Sequence, residues 1–394
     1  MSARRFLSFY GLFLFVLCIF IGWNALFLWR AGEISSLEEI VKTQQSSPDN
    51  CIYGSSVHGD TYYYKIEGYR AVQPVVAAVG TSRIMQMRSQ SFNESFYNLG
   101  GSVRSSEDLH NIISAMLAIR PPKIVLMNID FWWFNEQRQT YYTDQPLQER
   151  SRITLASLFL PFSWLIHGKI SPGDFFTIIR RGRLQDECSI GLFAMKKREG
   201  FIPDGSYVYT ALTTGVPASD VLSPGVRFQD ALQAISRGEG YYVYGTKSRT
   251  SSVEALAAAI QSLEERGALV IPFLPPVAPA VYAAMQAEHG QYAYIDDLRH
   301  SLTAHGIHFY DFSDPASIGT SNCEFLDDHH EGDVSVARIL RRLYERIQDQ
   351  RFRSVINRAY LDRVIQQEHG HAAIRDTTVT EKPEIDFLGM GCQK

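Results

Sequence analysis

Several things are scarce in this chain of 394 residues, and each scarcity excludes something. No sign of charge dominates. The formal net charge is −4, so there is no basic footprint for nucleic acid and none is expected as a partner. The chain has five cysteines, none in a C-x-x-C spacing, which argues against a zinc knuckle. No internal repeat or low-complexity tract is visible. The apolar and charged fractions, 45% and 20%, are those of a globular protein and show no disordered bias.

The most telling absence is local. From Phe6 to Trp29 there is no charged side chain, and such a helix is long enough to cross a hydrocarbon core of about 30 Å. Arg4 and Arg5 precede it, whereas Arg30 is followed by Glu33, Glu38 and Glu39. The positive-inside rule then places the N-terminus in the cytoplasm and residues 31–394 outside it. A cleaved signal peptide competes, but its apolar core is usually about 7–15 residues, and Asn24-Ala25-Leu26-Phe27 is a poor cleavage site. The expectation is a single-pass protein of the cytoplasmic (inner) membrane, embedded through residues 6–29. Residues 1–30 would form a signal anchor, with the remainder in the periplasm or outside the cell.

Outside the span lie Cys51, Cys188, Cys323 and Cys392, where an oxidising compartment favours disulfides. Four cysteines allow three pairings. Two disulfides, or one with two buried thiols, both fit. The 20 Tyr and 23 Phe suit a sugar-binding cleft, although large aromatic cores are the commoner cause.

Residues 31–73 read as a stalk and irregular lead-in, and 74–348 as an α/β domain. Pro74–Gly80 is an apolar run ending in Gly, hence a buried strand. Ser95–Asn98 is a second strand. Ser105-x-x-Asp108 opens a helix with Leu109, Ile112, Ile113, Met116 and Leu117 on one face. Pro121-Pro122 stops it before a third strand, Lys123–Asn128. Strand, helix, strand with this punctuation predicts a parallel sheet. A long insertion, about 131–250, interrupts the rhythm. The pattern resumes at the capping box Ser251-x-x-Glu254, followed by a fourth strand, Ala268–Leu274. Pro272 suits that strand only near an end. Ile307–Phe312 is the fifth strand, a last helix begins near Asp333, and residues 349–394 form a tail packed on the domain.

Two places lie just beyond predicted strand ends, where open α/β sheets bind ligands. Gly80-Thr81-Ser82-Arg83 would expose the Ser82 hydroxyl at the start of a helix, although an ordinary N-cap serine looks the same. Asp327-Asp328-His329-His330 follows strand five, and Asp327 and His330 have the spacing to supply an oriented base. A solvated polar loop is the plainer reading. A metal would also find carboxylates and imidazoles over Asp327–Asp333. Asp328-His329-His330 is similar to the Asp-His-His phosphoesterases, but the Asp-rich motifs those enzymes need near the N-terminal end of their domain are missing. No metal and no cofactor are assigned.

Taken together, Gly80-Thr81-Ser82, Asn98-x-Gly100-Gly101 and Asp327-x-x-His330 resemble the SGNH (GDSL-like) hydrolase superfamily over about residues 74–130 and 251–348. The resemblance implies a three-layer α/β/α domain with a parallel five-strand sheet. It implies Ser82 as nucleophile, His330 as base and Asp327 as its orienter, with an oxyanion held by backbone N–H groups of Ser82 and Gly100 and by Asn128. The third block departs from the family pattern: Asp130 stands where an Asn donor is expected, and an anionic Asp cannot donate. A single span before such a domain resembles the proteins that acylate envelope polymers, of the alginate O-acetylation and teichoic acid D-alanyl transfer types. That implies a cell-envelope polysaccharide as acceptor and a multi-span membrane acyltransferase as donor partner. Trp132, Trp133 and Arg83 are the expected substrate contacts, the tryptophans either as a sugar platform or as core. A non-catalytic polysaccharide-binding or assembly protein with the same fold is the rival reading.

Overall fold

The computed structural model describes residues 3–47, 50–57, 61–139, 154–184, 188–215, 224–374 and 383–394. Parts of the expected insertion (140–153, 185–187, 216–223) and of the tail (375–382) lie outside the described residues. The chain divides into two compact units.

The first unit joins Met1–Asp60 to Leu147–Gly200. Its N-terminal helix, Ala3–Arg30, is long and apolar enough to cross a membrane. Phe27, Leu28 and Ala31 at its end pack with Trp164, Ile170, Phe175 and Ile178 in a small core. A two-residue parallel pairing, Ile52–Tyr53 with Ser189–Ile190, is fastened by the Cys51–Cys188 disulfide. Glu33 is fully buried, yet its carboxylate accepts from the N–H groups of Ser56 at 3.0 Å and Leu192 at 2.7 Å. Those donors make its burial tolerable.

The range expected to be irregular contains two helices. Leu37–Ser46 opens with a complete capping box, Ser36 with Glu39. Thr61–Val72 belongs to the second unit.

The second unit comprises Thr61–Pro146 and Phe201–Lys394. Its sheet has β1 (Val76–Gly80), β2 (Phe96–Gly100), β3 (Ile124–Asn128), β4 (Leu269–Leu274) and β5 (Tyr310–Asp311), all parallel, in the order β2-β1-β3-β4-β5. Alternate strand residues enter two separate cores. Ala77, Val79, Val125 and Met127 pack with helices Leu109–Ile119 and Thr250–Glu264. Val76, Ala78, Ile124 and Leu126 pack with helices Asp333–Arg346 and Arg358–Gln367. The near-continuous apolar strands follow from burial on both faces.

Pro272 lies inside β4, in register with Met127. Leu269 N–H donates to Lys123 at 2.8 Å, and Phe273 accepts from Ile129 at 2.9 Å, so residues 269, 271 and 273 face β3. Pro272 therefore turns its missing N–H toward β5, which pairs only with Phe273 and Leu274. No ladder bond is lost.

Two helix starts differ from expectation. Thr250 begins its helix after Arg249, so Ser251 is not the cap. Asp108 stands at the N-cap of Leu109–Ile119 but makes no side-chain cap bond. Its carboxylate instead accepts from Arg104 N–H at 3.1 Å.

Candidate active site

The order of strands reverses between β1 and β3, the crevice where ligands settle in open α/β sheets. β1 ends at Gly80, where a Cβ would lie 2.6 Å from Asn128 Oδ1, so only glycine lets the two strand ends approach this closely. Thr81 caps the short turn that follows, accepting from Arg83 N–H at 3.3 Å. Asn98 braces the same loop from β2, its amide donating to Ile84 O and Met87 O, each at 2.8 Å. Ser82 is thereby held at the sheet's C-terminal edge, half-buried.

The other side is a tight hairpin. Phe325 and Glu331 form an antiparallel bridge, Leu326 N–H donates to His330 O at 2.8 Å, and the four residues from Asp327 to His330 occupy the tip. Asp327 folds that tip on itself, accepting from the backbone N–H of His329 at 3.0 Å and of His330 at 2.8 Å. The hairpin is anchored by buried Glu324, which receives Arg338 through two bonds of 2.8 and 2.9 Å. The Cys323–Cys392 disulfide fixes the same stretch.

These loops bring Ser82, His330 and Asp327 together. Asp327 Oδ2 lies 2.7 Å from His330 Nδ1, and Ser82 Oγ lies 2.7 Å from His330 Nε2. A carboxylate can only accept, so Nδ1 carries the proton and the Nε2 lone pair faces the serine hydroxyl. Burial pushes the Asp327 carboxyl up, but the adjacent imidazoles of His330 and His329 and the hydrogen bonds from His330 outweigh it and hold it far below the usual carboxylate range.

A second pair stands beside the first. His329 Nδ1 lies 2.8 Å from Asp328 Oδ2, and the same oxygen accepts from Tyr242 at 2.5 Å. The two imidazole rings are 4.2 Å apart. Burial opposes charge on His329, yet Asp327 and Asp328 raise its pKa above the ordinary value. Sequence reasoning assigned this pair no role, because its third member comes from a distant segment.

Arg83 does not face a ligand. It is buried, and its guanidinium donates to Asp130 at 3.0 Å, to Glu331 at 2.6 Å, to His329 O at 2.8 Å and to Pro276 O. It thus ties the segments that follow β1, β3 and β4 to the histidine hairpin. The departure at Asp130 has its reason here: the position supplies a counter-charge to Arg83 rather than a donor to substrate. Glu331, with burial dominant and Arg83 opposing it, is pushed up to about 7.

The expected oxyanion donors fare unequally. The Gly100 N–H is taken by Asn98 Oδ1 at 2.7 Å, which removes it from that role. Asn128 accepts from Thr81 N–H at 3.2 Å and donates to Asp130 at 3.1 Å, so its amide braces the loops. Among the described residues no acceptor takes the Ser82 N–H.

Trp132 and Trp133 are core, not platform, at 4% and 2% exposure. The solvent-facing ring beside them is Tyr241, 44% exposed, 4.9 Å from Trp132 and 5.0 Å from His329.

Asp327, His329 and His330 offer ligand atoms within 4.8 Å of one another. Both nitrogens of His330 and Nδ1 of His329 are already hydrogen-bonded, however, so a cation would have to displace Ser82 or a carboxylate. The arrangement is suited to activating a serine hydroxyl. No protein-family model matches this chain, and no curated protein matches it.

Proposed function

We propose that this chain is a membrane-anchored, serine-dependent acyltransferase or esterase of the SGNH type, acting outside the cytoplasm on a cell-envelope polysaccharide. The observation that carries the reading is the unbroken chain from Ser82 Oγ through His330 to Asp327, 2.7 Å at each step. Its place at the β1/β3 crevice supports the SGNH resemblance, and so does the sorting of strand residues into two helix-covered cores, which suits a three-layer α/β/α domain.

In this mechanism His330 Nε2 takes the proton as Ser82 Oγ attacks the acyl carbonyl, and the negative charge collects on the carbonyl oxygen near the Ser82 N–H. His330 then returns the proton to the leaving oxygen, freeing the donor and leaving Ser82 acylated. A sugar hydroxyl, or water, repeats the sequence in reverse on the acyl-enzyme. Asp327 holds the tautomer and stabilises the imidazolium. Tyr241 offers the accessible ring against which a sugar could stack. The acyl donor would reach Ser82 from a multi-span membrane acyltransferase, as in the envelope-acylating proteins it resembles.

One observation favours a second reading, a scaffold that binds polymer without turnover: two of the three expected oxyanion donors are engaged elsewhere. Fluorophosphonate labelling of the intact protein separates the two. Labelling that disappears in Ser82→Ala supports catalysis. A folded protein that no serine probe labels, yet binds polymer, is the scaffold.

A further inference from the structure

Residues from Leu155 to Ile166 in the first unit carry no charge. Leu155 is 80% and Ile166 65% exposed, Phe159 and Phe162 are each 46%, and Phe176 in the next helix, Pro172–Arg181, is 61%. So much contiguous apolar surface is unusual for a protein face in water. The same rings rest on the anchor helix. Phe20 lies 5.9 Å from Phe159 and 5.1 Å from Phe162, Trp23 lies 6.4 Å from Phe176, and Phe27 stacks on Phe175 at 4.7 Å.

Depth follows from helix geometry. With Arg4 and Arg5 at one interface, a core crossed by roughly 20 residues ends near Leu26. Phe20 is then about 9 Å inside the far boundary and Trp23 about 4–5 Å inside it. Side chains touching those rings share their depth. Beyond that boundary the chemistry turns polar at the level where it should. Trp29 is exposed, as interfacial tryptophans are. Arg30 donates to Ile179 O at 3.0 Å and Arg180 O at 2.9 Å, fixing the helix end where exposed Arg180 and Arg181 would meet lipid headgroups.

We propose that Leu155–Ile166 and the Phe176 side of Pro172–Arg181 are embedded in the leaflet opposite Arg4 and Arg5, with phospholipid acyl chains as the partner of this surface. This rests on the anchor helix crossing a membrane. It adds a second, sequence-distant immersion that sets the depth and orientation of the first unit.

The test uses the full chain in phosphatidylcholine–phosphatidylglycerol vesicles that carry a photoactivatable phospholipid, with cross-linked peptides identified by mass spectrometry. Adducts on 155–166 and 172–181 as well as on the anchor are expected. Adducts on the anchor alone overturn the proposal and leave the anchor reading standing, whereas no adduct on either overturns both. An independent measurement labels the free thiol Cys18 in the natural chain, or a Cys18→Ser, Phe162→Cys chain at position 162, with an environment-sensitive fluorophore. Both should be quenched by doxyl lipid and spared by aqueous iodide. Iodide quenching at 162 with lipid quenching at 18 overturns the proposal alone.

Discussion

Two Asp–His pairs stand side by side at the tip of one hairpin, alike in residue type and nearly alike in distance, yet they differ in what the far imidazole nitrogen meets. His330 presents Nε2 to Ser82 and keeps 21% of its side chain exposed. His329 keeps 10%, wedged against Trp132 and Tyr241, and among the described residues its Nε2 meets no protein donor or acceptor. Asp327 spends its other oxygen on the hairpin's own backbone, whereas Asp328 is braced by Tyr242. A carboxylate and an imidazole are therefore not enough to make a base. Under the proposed mechanism, the serine hydroxyl at the far nitrogen is what would separate an engine from a strut.

The largest expected effect breaks the comparison outright. Ser82→Ala should abolish fluorophosphonate labelling. Asp327→Asn should lower arylester turnover by about 10⁴, and His330→Ala by about 10⁶. His329→Gln should leave most of it. A loss with His329→Gln as large as with His330→Ala would erase the distinction between the two pairs.

Next in size is the residue that holds both pairs in place. Arg83→Met leaves Asp130 and Glu331 buried without their cation, and should cost about 3–5 kcal/mol in denaturant unfolding. If Arg83 instead bound substrate, the variant would keep its stability and raise KM. Asp328→Asn weakens the bonds to Tyr242 and His329 and should cost about 1–3 kcal/mol while labelling persists.

How much of this was legible follows from the range of each signal. The strands showed as short, largely apolar runs, the first three closed by Gly or Asn, because β1 to β4 are buried on both faces. The Ser36/Glu39 capping box was equally local but sat in a stretch read as irregular. Ser82, Asp327 and His330 could be picked out because each lies at a strand end or shares one loop. Arg83 could not be read correctly, since its partners come from three other segments. Nor could the burial of Trp132 and Trp133, or the loss of the Gly100 N–H to Asn98, which depends on a side-chain rotamer.

Smaller effects sharpen the contrast. Tyr241→Ala should raise KM for a polymeric substrate about threefold to tenfold, the size of one aromatic contact, and leave a small arylester unchanged. Glu331 gives a pH signature. Its folded pKa is raised from 4.5 to about 7, so between those values the folded state holds more protons and stability falls as pH rises. Glu331→Gln should flatten that slope in urea titrations. A slope of opposite sign in the natural chain would refute the assignment.

The disulfides bear on how the molecule is made. Cys51 joins Cys188 and Cys323 joins Cys392, so outside the anchor the pairing runs first with second and third with fourth. If residues 31–394 are threaded outward from the anchored end, the thiols appear in that order. An oxidant acting on each pair as it emerges would reach the native connectivity without an isomerase. The 137-residue interval of the first pair contains β1 to β3, which would then cross before Cys51 meets Cys188. Three of the five strands in the larger unit's sheet would therefore begin to assemble while the smaller unit is still open.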